Sequence, residues 1–129
     1  MKKTSFTITT STAILQYEIL KAIGDMSKIG FHRRAIDYYL KYDRSVHPDL
    51  LITERKNPRY VRKDTTEQIY LDDDRFKEIK KVAAELGCPH TIVLCHALMS
   101  FCSIQAPLVL DQERLDYLMG KIDRMRKEK

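Results

Sequence analysis

Glycine is scarce in this chain, with 4 among 129 residues. A phosphate-cradling loop needs several glycines within a few positions, so that class of nucleotide site is excluded. The Gly-x-Ser-x-Gly elbow and the His-Glu-x-x-His pair are both missing. With them go two common hydrolase signatures, and the expectation is a protein that is not an enzyme. Cysteine occurs 3 times, without a Cys-x-x-Cys pair. An odd count with no signal-like apolar core after Met1-Lys2-Lys3 predicts free thiols and a cytoplasmic setting. Cys88, His90, Cys95, His96 and Cys102 invite a metal reading, but Cys95 and Cys102 fall on one stripe of an apolar helix, where free cysteine acts as a small hydrophobe. No metal and no cofactor is expected. Acidic and basic residues are missing from Thr91 to Leu110. A stretch of roughly twenty such residues could span a bilayer. His96, Ser100, Ser103, Gln105 and Pro107 interrupt it, so the expectation is a buried helix and no membrane.

What is present repeats. Thr7-Ile8-Thr9-Thr10-Ser11 aligns with Gln68-Ile69-Tyr70-Leu71-Asp72, 61 positions on (69 − 8). Ala35-Ile36 aligns with Ala97-Leu98 at 62 (98 − 36), and Gly24 with Gly87 at 63 (87 − 24). Repetition at a fixed spacing sets the architecture. Each copy, roughly 40 residues, is too small to bury a core alone, so the copies must pack on each other or on a second chain. The division reads as a first copy over residues 1–43, a basic connector over 44–65, a second copy over 66–105 and an amphipathic C-terminal helix over 106–129.

Each copy reads as a strand and two helices. The first strand is Ser5 to Thr10, with Phe6 and Ile8 inward and Ser5, Thr7 and Thr9 outward. Ser11 or Thr12 caps a helix that ends at Gly24. Ser27 caps the next, through Phe31, Ala35-Ile36 and Tyr38-Tyr39 to Tyr42. In the second copy Ile69 and Leu71 face inward, and Gln68 and Tyr70 outward. Asp72, Asp73 and Asp74 cap the next helix. An apolar helix then runs from Thr91 to about Ser103, and a last helix opens at Asp111 after Pro107, with a basic end (Arg124, Arg126, Lys127, Lys129). His32 and His47 read as surface groups. Glu67 stands where the first copy has Phe6, an inward position at which a carboxylate is costly to bury.

Strand, helix, turn and helix in this span resemble the ribbon–helix–helix DNA-binding class, which holds the methionine and Arc repressors. The carriers are the stretch from Ser27 to Leu40 and the block from Gln68 to Gly87. The resemblance implies a mainly α, tandem ribbon–helix–helix fold: two short strands pair into an antiparallel ribbon over four helices, with one more helix at the C-terminus. The halves pair within one chain or across a homodimer. The implied partner is double-stranded DNA, read in the major groove by Ser5, Thr7, Thr9, Gln68 and Tyr70. Lys3, Ser27, Lys28, His90 and Thr91 would contact phosphates. The run Arg55, Lys56, Arg59, Arg62 and Lys63 would serve as a basic arm, in keeping with a net charge of +5. A transcriptional repressor is the expected role. A conjugation accessory protein at an origin is the alternative within DNA binding. An antitoxin or adaptor acting through the C-terminal helix is the alternative outside it.

Overall fold

A computed structural model describes residues 2–127, with side chains through residue 125. The chain is mainly α, with one two-stranded sheet. β1 (Lys2–Ile8) leads into α1 (Thr10–Ile23) and α2 (Lys28–Tyr42). A connector with one 3-10 turn (Pro48–Leu51) follows. β2 (Thr65–Leu71) then leads into α3 (Asp73–Leu86), α4 (His90–Val109) and α5 (Gln112–Lys127).

The strands pair antiparallel along their whole length, from Lys2 opposite Leu71 to Ile8 opposite Thr65, with Ser5 opposite Gln68 at the centre. A single chain therefore completes the ribbon. Residues directly opposite share a face. Phe6, Ile8, Ile69 and Leu71 all point inward and are buried, as the alternation requires.

The structural repeat runs at 63, not 61, through both strands and the first helices. β1 and β2 start and end 63 apart (65 − 2 and 71 − 8), as do α1 and α3 (73 − 10 and 86 − 23). The offset falls to 62 at the second helices, because the turn of residues 87–89 is one residue shorter than that of 24–27, with Pro89 in the place of the capping Ser27. Matching Thr7 to Gln68 slips each strand by one period-2 step. That slip keeps every side chain on its correct face, which is why alternation alone does not detect it. Glu67 thus corresponds to Thr4, while lying across the ribbon from Phe6.

Helix ends follow local chemistry. Thr9, rather than Ser11 or Thr12, caps α1, its hydroxyl accepting from the Thr12 amide at 3.1 Å. Asp72 caps α3. Gly24 (φ 85°) and Gly87 (φ 68°) close α1 and α3 in a backbone region that side chains resist. We expect Thr9→Ala to lower the unfolding free energy by about 1 kcal/mol in urea titrations; an unchanged midpoint would mean that the cap contributes nothing.

α4 is longer than its pattern suggests. It begins at His90 and passes through Pro107 to Val109. Proline there removes one hydrogen bond from the last turns, a loss that a packed helix end tolerates. α4 is long and apolar enough to cross a membrane by length and composition. Here it packs against α1, α2, α3, β1 and α5, and Val93, Leu94, Cys95, Ala97, Leu98, Phe101 and Cys102 are buried. Absence of charge over its first three turns goes with this packing, while Ser103, Pro107 and Leu108 near its end are exposed.

The connector is held down rather than loose. Leu50 is buried in the core. His96 on α4 donates from Nε2 to Asp43 at 2.7 Å and accepts at Nδ1 from the His47 amide at 3.0 Å. Burial pushes the Asp43 carboxyl up, but hydrogen bonds from Ser45 and His96 outweigh it and hold the group below the usual range. α5 docks through buried Leu118 and Ile122 and through Arg114, which donates to Glu18 at 2.6 and 3.3 Å. Of the basic C-terminal end, Lys129 and the side chains of Arg126 and Lys127 lie outside what is described.

Candidate nucleic-acid interface

The outward face of the ribbon carries three residues from each strand. Lys3 lies opposite Tyr70, Ser5 opposite Gln68, and Thr7 opposite Thr66. Tyr70 is half-buried, and the other five are exposed. In the offset of 63 these are two equivalent triads, Lys3-Ser5-Thr7 and Thr66-Gln68-Tyr70, each at alternate positions. Ser5 and Gln68 form the central pair of the ladder.

This geometry corrects the expected set in three places. Thr9 has left the strand: besides its capping bond it exchanges hydrogen bonds with the hydroxyls of Ser11 (3.0 Å) and Thr12 (2.7 Å). Lys3, ahead of the strand expected from Ser5, lies inside β1 and on its outward row. Thr66 joins the face, and the same alternation that singles out Gln68 and Tyr70 would have found it.

The helix starts are less open than expected. Ser27 caps α2, accepting from the Gly30 amide at 3.0 Å. Lys28 ion-pairs with Glu67 at 2.6 Å, with its side chain 53% exposed, so part of its charge is engaged. His90 and Thr91, at the start of α4, are half-buried. His90 sits edge-on to Phe76 at 5.6 Å. Its own burial, with Lys80 nearby, lowers its pKa and favours the neutral ring. The connector cations divide. Arg55 and Lys56 are exposed. Arg59 and Arg62 lie near Asp49 (3.9 Å) and Asp64 (3.3 Å), and with Thr9, Thr10 and Ser11 they line a cleft of about 740 Å³. Lys63 donates to the Val61 carbonyl at 3.4 Å and sits over the Tyr60 ring.

Beneath the ribbon lies a polar cluster that a reading by residue type misses. Glu67 is 4% exposed. Its Oε2 accepts from Gln16 Nε2 at 3.0 Å, and its Oε1 meets Lys28. A carboxylate only accepts, so the Gln16 amide must donate to it and offer its oxygen elsewhere. That oxygen lies 2.7 Å from His32 Nε2, which therefore carries the ring proton. His32 is 2% exposed, not a surface group. Burial chiefly, with Lys28 adding and Glu67 opposing, lowers its pKa to about 4. The helical stripe Phe31, His32, Ala35, Ile36 and Tyr39 was the signal for that burial, since all five are inside.

Cys95 and Cys102 are core groups, and Cys88 is half-buried. Burial pushes Cys95 up to about 11 and Cys102 up to about 12. Among the described residues no cluster of three or more His, Cys, Asp or Glu side chains is placed to hold a metal ion. Comparison of the chain with protein-family models, with curated proteins and with solved structures finds no match.

Proposed function

We propose that the chain is a tandem ribbon–helix–helix protein that binds duplex DNA at a specific sequence, and that it represses transcription by occupying an operator. The observation that carries this reading is the six-residue outward face of the ribbon. Two strands about 5 Å apart fit a major groove roughly 12 Å wide. Each triad spans roughly 14 Å, close to four base-pair steps. Its side chains have the chemistry of base readout: Lys3 suits guanine O6 and N7, Gln68 suits adenine N6 and N7, and the hydroxyls take either role. The triads differ in every residue, so the preferred site lacks twofold symmetry. Helix starts at Ser27 and Pro89, with Arg55 and Lys56, would supply sequence-independent affinity.

Selection from randomised duplexes tests the reading. An asymmetric consensus is expected. Gln68→Ala and Lys3→Ala should each relax preference at one or two positions, by about 1–3 kcal/mol for a good bidentate contact. Arg55→Ala with Lys56→Ala should weaken all sequences alike and flatten the salt slope by about one unit per lost phosphate contact. No consensus, or a consensus unmoved by Gln68→Ala, would end this reading. One observation favours a protein partner as a second reading. α5 leaves Tyr117 and Met119 exposed beside an apolar groove of about 400 Å³ lined by Leu15, Met99, Pro107 and Leu115. A tight protein complex with only weak DNA affinity would favour the antitoxin or adaptor role.

A further inference from the structure

The two halves match in element order and spacing but not in what they bury. Gln16 of α1 corresponds to Ile79 of α3 (79 − 16 = 63), and His32 of α2 to Leu94 of α4 (94 − 32 = 62). All four are buried. Glu67 finds an amide donor only because the half packed across from it is the first one. A second link tells the same story. Arg75 of α3 donates to both oxygens of Asp37 of α2, at 2.7 and 2.9 Å. Its counterpart in the first half is Thr12 (75 − 12 = 63), and the counterpart of Asp37 is Met99 (99 − 37 = 62). Both links therefore join unlike halves, and the residues at the corresponding positions cannot make either one.

We propose that the second half (β2, α3 and α4) accepts as its partner only a first half (β1, α1 and α2), from its own chain or from a second copy, and rejects another second half. Two second halves pairing about Gln68 would press each Glu67 against Ile79 and Leu94 of the other copy. Each Arg75 would face Met99. His90 would stand where Lys28 does, as a ring held neutral by burial. A buried carboxylate stripped of its partners is discriminated against by about a hundredfold or more. Two first halves bring no buried charge, so the rejection is one-sided. The proposal rests on the strand register, burial and these two polar links, and it stands or falls independently of DNA binding.

Thiol trapping in the full chain tests it. Gln68→Cys puts a thiol at the centre of the ribbon, where a pair of second halves would bring two such thiols together. The chain is unfolded and then refolded with oxidised glutathione at about 1 mM, where a second copy competes with the tethered half. Gln68→Cys alone is expected to stay unlinked. Ser5→Cys with Gln68→Cys should close within one chain, because those positions face each other. Adding Glu67→Leu and Arg75→Met to Gln68→Cys should raise the 68-to-68 linked dimer by about tenfold or more. Peptide mapping separates that link from any through Cys88, Cys95 or Cys102. The proposal is overturned if Gln68→Cys alone dimerises as readily as the charge-stripped chain. It is equally overturned if the charge-stripped chain recovers its helical circular dichroism yet remains unlinked. Should that chain fail to fold, Glu67→Gln with Arg75→Gln removes both charges at similar size and is held to the same two outcomes.

Discussion

Gln16→Leu is expected to destabilise the protein by about 3 kcal/mol, far more than a polar-to-apolar change of similar size on a helix face. The substitution removes the amide that donates to Glu67 at 3.0 Å and accepts from His32 at 2.7 Å. Both groups are nearly inaccessible to water, so water cannot take over either bond. A hydrogen bond to a buried charge contributes about 1.5–3 kcal/mol, and an unsatisfied buried donor costs about 1–3 kcal/mol more. Lys28 remains on the carboxylate, which keeps the loss below that of a bare buried charge. For a chain of this size the melting temperature should fall by about 10 °C. Adding Glu67→Leu should recover stability rather than lose more, because it takes away the carboxylate that needs the partner. Urea titration of the two variants measures both effects. A cost under about 1 kcal/mol for Gln16→Leu would show that the carboxylate is not desolvated.

Acid should weaken the fold in a window set by His32. Its pKa is about 4 in the folded protein, against an ordinary 6.5. The unfolded chain therefore takes up the proton first as pH falls. Stability from this group is complete above pH 6.5, declines as pH drops toward 4, and is fully lost below that. The difference of about 2.5 pKa units corresponds to about 3 kcal/mol at most. His90, also lowered by burial, contributes in the same direction. Asp43, and Asp72 through its hydrogen bonds from Arg75, sit below the ordinary carboxylate range, so their stabilisation is lost only at lower pH. His32→Gln isolates the main contribution, since it keeps a donor near the Gln16 oxygen and does not titrate. Unfolding free energies measured from pH 7 to 4.5 should fall less steeply for this variant than for the parent. Parallel slopes would mean that the imidazole takes up its proton alike in the folded and unfolded chain.

The elements legible in the sequence share a local cause. Inward Phe6, Ile8, Ile69 and Leu71 follow from alternation alone, and all are buried. Ser27, Asp72, Gly24 and Gly87 follow from the chemistry of helix ends, and each stands at its cap. The errors also have physical causes. Thr9, Thr10, Ser11 and Thr12 form a run of four hydroxyl residues, each chemically able to cap α1, so the end of β1 was ambiguous. Pro107 resembles a stop, but packing carries α4 past it. Glu67 was recognisable as costly, yet its amide partner lies 51 positions away on the other half. Composition and periodicity report a residue's own neighbourhood, and such a partnership is visible only once the halves are docked. The same limit hides the ion pair of Lys28 with Glu67, which leaves the lysine side chain half exposed.

The carboxylate under the ribbon also constrains how this sequence can change over generations. If the halves descend from one duplicated module, they were once interchangeable, and either could drift while the other kept the original packing. Once one side holds Glu67 and the other holds Gln16 and His32, neither can return to the ancestral state by itself without stranding its counterpart. Divergence has become entrenched, and later substitutions at these positions must arrive as compensated pairs.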